Sequence, residues 1–414
     1  MNNGNKCVLG LDLGTTKICA VIAEIRRDHP LRILGFASCP SQGLRRGVII
    51  DVQKTVEAIK KAVNQASLMA GVDVSEAYVG IAGDHVNSMN SSGVVGVSDE
   101  DGRICKSDIE RVVQSAAAVK VPIDREILHI IPQEFVIDGR REIIDPIGML
   151  GVRLEAHVHV VTGAVSAVQN MCMSIERAGL HVKDIALEPL ASSSAVLGNE
   201  EREMGVCLVD IGGGTTDIAV FSRGGIRYTG VIGLGGQNVT NDIAIGLKTS
   251  WAVAEDLKCK AASVDLTQID PNEEVKVPNL TDRSNQNISR LLLAEIVDAR
   301  MEEIFCLVRD KLGEKRLNLA SGVVLTGGGA LLKGVVKCGE KVLGLPVRLG
   351  LPKEIQGMVE GIERPSYSTA IGLSFLAREH LGNKNDSHLS DNDLQGAGFE
   401  AVFGRMKAWF QTWI

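Results

Sequence analysis

One short motif stands twice in this chain, about two hundred residues apart. The first copy is "VLGLDLGTTKICAV" and the second is "VCLVDIGGGTTDIAV". Each runs through an apolar stretch, an Asp, an apolar residue, Gly, a Thr-Thr pair, a charged residue and further apolar alternation. The second copy carries two extra glycines in its turn. Apolar runs of Val, Ile and Leu on both sides of a Gly-Thr turn predict two β-hairpins. A unit repeated over this distance restricts the chain to architectures built by duplication.

The chemistry of the turn follows from its residues. Glycines let the backbone fold tightly and approach a ligand, so that successive N–H groups point at an anion. Thr15, Thr16, Thr215 and Thr216 add hydroxyl donors, and Lys17 supplies a point charge suited to a β- or γ-phosphate. Asp12 and Asp210, at the strand ends, suit a hydrated Mg²⁺, which takes oxygen ligands and keeps most of its waters. Two facing hairpins of this kind clamp a triphosphate. A single D-x-G-T turn is a common tight hairpin with no ligand, but two copies with matching flanks favour the anion site. A third cluster, "SGVVLTGGGALLKGVV", has Val323, Val324 and Leu325 leading into Gly327, Gly328 and Gly329, with a helical pattern from Ala330. A Gly-rich strand-to-helix turn is a nucleotide site by backbone approach and helix dipole. Its spacing is not the dinucleotide G-x-G-x-x-G, and the chain has no Walker A sequence.

At 414 residues the chain is too long for one small core and predicts two or more lobes. A net charge of −7 with no long basic run argues against nucleic acid as a partner. The nine cysteines are scattered with no C-x-x-C pair, which fits reduced thiols in a cytoplasmic protein. The N-terminus lacks a signal-like segment and no run of eighteen apolar residues occurs, so the expected body is cytoplasmic and does not span a bilayer.

Hairpin, hairpin and then Gly-rich turn resembles the actin, Hsp70 and sugar-kinase superfamily. "GLRRGVIID" (43–51), "NSSGVVGV" (90–97), "PQEFVIDG" (132–139), "DPIGMLGVRLEAHVHVVTG" (145–163) and "LASSSAVL" (190–197) look like blocks of the bacterial cell-division FtsA family. "YSTAIGL" (367–373) resembles the second connecting segment between the lobes, and the likeness covers about residues 5–381. It implies that Asp12, Gly14, Thr15, Thr16 and Lys17 form the first phosphate loop, and Asp210, Gly212, Gly213, Gly214, Thr215 and Thr216 the second. Thr326, Gly327, Gly328, Gly329 and Ala330 match the adenosine motif. Glu255 and Lys258, an E-x-x-K in the predicted helix "AVAEDLKCKAAS", stand where relatives contact the adenosine, although such a spacing also suits a plain helical ion pair. One departure is that a Gly-Ser-His stretch is expected after "GIAG", and this chain reads Asp84-His85.

The implied fold is α/β: an actin-like two-lobed ATPase of duplicated ribonuclease-H-like domains, with inserted subdomains and a C-terminal amphipathic helix. The expected layout places the first lobe at 1–84 and 163–195, with the family's distinctive insert at 85–162. The second lobe takes 196–230 and 320–364, with its own insert at 231–319, and 365–381 returns to the first lobe. Within the second insert, residues 270–287 are rich in Pro, Asn and Asp and read as an exposed loop.

After Leu381 the composition changes. Residues 382–396 are rich in Asn, Asp, Ser and Gly and read as a flexible linker. The chain holds eight Phe, three Trp and three Tyr, yet Phe399, Phe403, Trp409, Phe410 and Trp413 all fall in its last sixteen residues. At helical spacing Phe399, Val402, Phe403, Met406, Trp409, Phe410, Trp413 and Ile414 share an arc of roughly 140°, with Arg405 and Lys407 on its flanks. Residues 397–414 therefore predict an interfacial, membrane-targeting helix with a preference for anionic lipids, too short to span. The alternative is a helix docked back on its own core.

The leading functional reading is a cell-division adaptor with ATP and Mg²⁺ as ligands. It sits on the cytoplasmic face of the cell membrane at the septum, polymerises through its lobes, tethers the tubulin-like FtsZ by its C-terminal tail, and helps to recruit later divisome proteins. Arg300, on the helix "LLLAEIVDARMEEIFCLVRDKL", matches the family's position for gripping the FtsZ tail; a solvated helix face is the alternative. Another actin-like membrane scaffold, of the pilus-assembly or MreB type, is the runner-up, and a small-molecule kinase lacks a motif that commits a general base. An Hsp70-like chaperone needs a large domain after the ATPase. ATPase activity is expected to be weak or regulatory, with Glu188, just before Pro189, as a candidate to orient a water; a helix-capping or hinge role suits it equally.

Overall fold

The computed structural model describes residues 6–26, 29–280, 285–357 and 361–384. The predicted hairpins are both present. Lys6–Leu13 pairs antiparallel with Lys17–Ile25, and Val206–Ile211 with Thr216–Ser222. These strands are buried almost end to end, as continuous Val, Ile and Leu runs require.

The duplication extends to the whole of each sheet. In the first, the order is His181–Leu187, Glu76–Ile81, Lys6–Leu13, Lys17–Ile25, Leu31–Pro40, with Ile355–Gln356 added at the edge. In the second it is Val347–Leu349, Val323–Thr326, Val206–Ile211, Thr216–Ser222, Gly225–Ile232. In both, the first hairpin strand pairs parallel with a later strand on its free side. Each lobe thus presents its hairpin turn and the end of a parallel strand at the same edge, where open α/β sheets bind ligands.

Helices cover the sheets. Val52–Ala70 starts on Asp51, whose Oδ1 accepts from the Lys54 N–H at 3.1 Å, and stops at Gly71 in the left-handed region. Arg290–Leu312 turns Leu293, Val297, Met301, Ile304, Phe305 and Val308 onto the second sheet, a three-and-four spacing that forms one apolar stripe. Ser368–Lys384 returns to the first lobe against Glu188–Val196, and Gly372 permits this approach because a Cβ there would overlap the Ala191 carbonyl. None of the described helices is long and apolar enough to cross a membrane.

A third, separate core lies in a four-stranded sheet ordered Asn87–Gly96, Arg153–Ala164, Arg125–Ile137, Arg140–Ile143. The helix Lys106–Ala117 covers it with Ile109, Val112, Val113 and Ala116. All nine cysteines are free thiols.

Three expectations need correction. The stretch 270–287 is not simply a loop: Glu274–Pro278 pairs antiparallel with Asn285–Ser289, because alternating Val275 and Val277 reach the second-lobe core while polar neighbours face out. The helical pattern at Ala330 is a 3₁₀ turn, Gly328–Leu331, and the α-helix starts only at Val335. Consecutive glycines disfavour a regular helix there. Finally, the return helix runs to Lys384, three residues into the expected linker, since its backbone ladder continues despite the polar composition. The rest of the linker and the predicted amphipathic helix, 385–414, lie outside the described residues.

The small sheet is hydrogen-bonded to the second lobe across its flank. His159 Nδ1 meets Asn90 Oδ1 at 2.7 Å and its Nε2 meets Thr229 Oγ1 at 2.9 Å. Ser88 Oγ donates to the Thr229 carbonyl and Gln133 Nε2 to that of Ile226. Burial pushes the His159 imidazole down to about 4. A depressed histidine stabilises the fold above its unfolded pKa and forfeits that as pH falls toward the folded one. Between pH 6.5 and 4 the wild type is expected to lose roughly 3 kcal/mol more than His159→Gln. Denaturant titrations of both proteins at a series of pH values check this; parallel curves would mean that His159 titrates as if exposed.

Candidate functional site

The three glycine clusters converge. The strand register sets Asp210 beside Thr326, so the second hairpin and the third cluster end side by side. Gly327, at φ +84°, turns the chain where a Cβ would lie 2.6 Å from the Ile211 carbonyl. Thr326 Oγ1 is 2.7 Å from Ser368 Oγ and donates to the Pro365 carbonyl at 3.2 Å, which joins the cluster to the return segment. Ala330 and Gly329 are buried, whereas a Cβ on Gly328 would meet nothing within 4 Å.

Across the cleft the two turns face and touch each other. A Cβ on Gly213 would overlap Thr16 Oγ1, and one on Gly214 would lie 2.9 Å from Thr15 Oγ1. Gly14 closes the first turn, and Gly212 N–H donates to the Thr215 carbonyl at 2.9 Å in the second. Thr15 Oγ1 accepts from Gly47 N–H at 3.3 Å, and Thr216 Oγ1 donates to the Leu234 carbonyl at 2.9 Å. A helix, Gly236–Gly246, begins on the second turn: Gly236 N–H donates to the Gly212 carbonyl and Gln237 N–H to that of Gly213. The sequence reading missed this helix start, for which the run "GLGGQN" was the signal.

Behind the turns lies a buried carboxyl cluster of Asp12, Glu188, Asp210 and Asp217. Burial pushes Asp12 up to about 7, against the pull of Lys17 and with the push of Asp210. Burial and Asp210 push Asp217 up to about 8, and its Oδ1 has no hydrogen-bond partner. Glu188 is driven well above the usual range by burial and then by Asp12, Asp217 and Asp210. Asp210 is raised by burial too, although Ser192 Oγ donates to its Oδ2 at 2.7 Å and Lys17 opposes the rise. Carboxyls that resist ionising together are relieved by a cation, although no group of three or more His, Cys, Asp or Glu side chains among the described residues is arranged to hold a metal ion. Asp217, Ser192 and Thr369, whose Oγ1 lies 3.0 Å from Ser192 Oγ, escaped the sequence reading. Asp217 occupies the repeat position of Lys17, and that charged position was its signal.

Lys17 reaches the return segment while staying close enough to Asp12 and Asp210 to act on both. Its Nζ donates to the Ser366 carbonyl and lies 4.0 Å from the centroid of the Tyr367 ring. A buried ammonium needs acceptors, and the return segment supplies a carbonyl and a π face. Glu255 and Lys258 pair with each other beside the second turn. Lys258 Nζ bonds Glu255 Oε2 at 2.7 Å and also donates to the Gly236 carbonyl at 3.1 Å, which ties the pair to the second turn. Arg300 stands apart on the second lobe, bidentate to Asp242 at 2.5 and 3.0 Å and paired with Glu303.

Comparison with known proteins bears on this arrangement. The family model "Cell division protein FtsA" matches residues 207–372, and "SHS2 domain inserted in FTSA" matches 83–162, which contains the separate small sheet. The Cell division protein FtsA of Pseudomonas aeruginosa is 42% identical over 98% of both chains. This chain belongs to the FtsA family. The FtsA of Escherichia coli strain K12 is 38% identical over 92% of both chains, and that of Bacillus subtilis 40% identical over 90% of this chain and 83% of its own. Among solved structures, a chain of the PilM-PilN type IV pilus biogenesis complex superposes with TM-score 0.67 at 17% identity, over 91% of this chain and 99% of its own. MreB5 of Spiroplasma citri bound to ADP superposes at 0.56 and 14%, over 92% and 99%. These likenesses show the actin-like fold; the FtsA relatives make the chain an actin-like cell-division protein.

Proposed function

We propose that this FtsA-family protein binds ATP with Mg²⁺ between its hairpin turns and tethers FtsZ polymers to the cytoplasmic membrane face at the septum. The observation that carries the nucleotide half is the meeting of three glycine clusters over one buried carboxyl cluster. Backbone N–H groups of residues 14–16 and 213–215 bind the phosphates, and the 326–330 turn with Glu255 and Lys258 borders the adenosine. The turns touch, so nucleotide entry parts the lobes. Asp12 and Asp210 would hold Mg²⁺ through its waters, with the free Asp217 oxygen beside them. The metal supplies charge neutralisation for the phosphates when bound. Of the four carboxyls in the cluster, Glu188 stands at a helix start, and it orients water for slow, regulatory hydrolysis.

The membrane half rests on the tail residues Phe399 to Ile414 and their basic flanks. Self-assembly through the lobes and contacts with later divisome proteins complete the proposal. FtsZ docks on the second lobe, where Arg300 and Asp242 neighbour Trp251, whose Nε1 donates to Asn241 Oδ1. An acidic, apolar peptide exchanges Asp242 for its own carboxylates at Arg300 and packs on the indole.

Vesicle co-flotation tests membrane binding and FtsZ docking together. The full chain carries FtsZ to anionic vesicles, whereas Arg300→Glu stays on the vesicles and recruits about tenfold less FtsZ. Undiminished recruitment by Arg300→Glu removes Arg300 from the docking surface.

A further inference from the structure

His85 is buried at both ring nitrogens, and neither has a hydrogen-bond partner. Buried polar side chains are hydrogen-bonded as a rule, to protein or to ordered water. The ring borders a small recess whose wall also includes Leu13, Gly47, Ile81, Met171 and Glu188. His85 and Glu188 are the only polar side chains on that wall among the described residues. The recess has room for about one water molecule. Glu188 enters it across the strand Glu76–Ile81, where a Cβ on Gly80 would lie 2.9 Å from its Cγ.

We infer that the recess binds one water that bridges the His85 imidazole and the Glu188 carboxyl. A polar pair around a one-water space meets the conditions for an internal water, and the apolar remainder of the wall offers no competing partner. The bridge rests on the proposed role of Glu188 and deepens it. Glu188 interacts with Asp12, Asp217 and Asp210, and the water extends this cluster to the root of the small sheet.

That root is firmly held. Arg125 Nη2 donates to the His85 carbonyl at 2.9 Å and to the Thr162 carbonyl at 2.9 Å. Asp84 pairs with Arg46 at 3.6 Å and abuts Gly233 of the second lobe. The charged groups around His85 are therefore Arg125, Asp84, Arg46 and Glu188, and burial with Arg125 keeps the imidazole neutral. A neutral ring offers one donor and one acceptor, so it accepts or donates to the water without a change of charge. His85 is thus a positioning residue: through the water it fixes the rotamer of Glu188, and the root of the insert sets where His85 stands.

The test uses the full chain, nucleotide-free and ¹⁵N-labelled, at one fixed neutral pH. We expect the His85 ring nitrogens to show a cross-peak to a long-lived water and to shift in Glu188→Gln, which alters the water's other partner. In steady-state turnover His85→Leu falls about tenfold with ATP affinity within about twofold, and His85→Gln restores most of the rate. No water cross-peak together with unchanged His85 resonances in Glu188→Gln overturns the bridge, whatever the turnover. A wild type that does not hydrolyse ATP yet shows the cross-peak overturns the hydrolytic role of Glu188 and upholds the water site.

Discussion

Gly213→Val is expected to weaken ATP binding at least a hundredfold, about 2.7 kcal/mol or more, while the protein stays folded. Gly213 is not among the glycines at positive φ, so a side chain brings no backbone strain of its own. What it meets is the opposing turn, because its Cβ would overlap Thr16 Oγ1. The valine wedges the turns apart and covers N–H groups that must reach a phosphate. The burial of each lobe's core is untouched, since Gly213 belongs to none of the three clusters of buried apolar residues. Calorimetric titration with ATP, alongside a melting curve, measures both halves of this expectation. Gly96→Ala serves as the control, because a Cβ there has 4.0 Å of clearance and lies on the small sheet. A folded Gly213→Val protein with unaltered ATP affinity would remove the two-turn clamp.

Trp409→Glu is expected to release the protein from membranes without change in ATP affinity or melting temperature. The argument is one of side-chain chemistry and sequence spacing. Trp409 lies mid-arc among eight large apolar residues at helical spacing. A carboxylate there must enter the acyl boundary at a cost of a few kcal/mol, comparable with the whole binding energy of so short an interfacial segment. Removing Arg405 and Lys407 together weakens binding chiefly on anionic lipid, by roughly 1 kcal/mol per charge, and added salt mimics the loss. Flotation with neutral and anionic vesicles separates the two terms. If Trp409→Glu lowers the melting temperature and leaves lipid binding intact, the tail docks on the lobes and the tether fails.

Much of the site is written in neighbouring residues. A Gly-Thr turn between two apolar runs has one economical geometry, a tight hairpin, and the chain adopts it at 13–18 and at 211–216. The second Asp, Asp210, lines up with the first, Asp12, because the copies share their spacing. The strand before Gly327 follows from the same local preferences. Where local patterns were mixed, the reading slipped: Val275 and Val277 sat inside a polar stretch, and only their burial against the second-lobe core reveals a strand.

The sequence by itself therefore determined the duplicated hairpins, the three glycine clusters and the family likeness, all of which depend on residues a few positions apart. Tertiary structure decided which groups share a cleft. Asp217 joins the carboxyl cluster, Ser192 donates to Asp210, Lys17 turns to the return segment, and Arg300 finds Asp242 fifty-eight positions away. His85 and Glu188 reach one recess only when the small sheet's root folds against the first lobe. The physical reason is that hairpin geometry is set by steric and hydrogen-bonding preferences within a few residues, whereas burial and electrostatic neighbours are set by chain segments that sequence separation does not order.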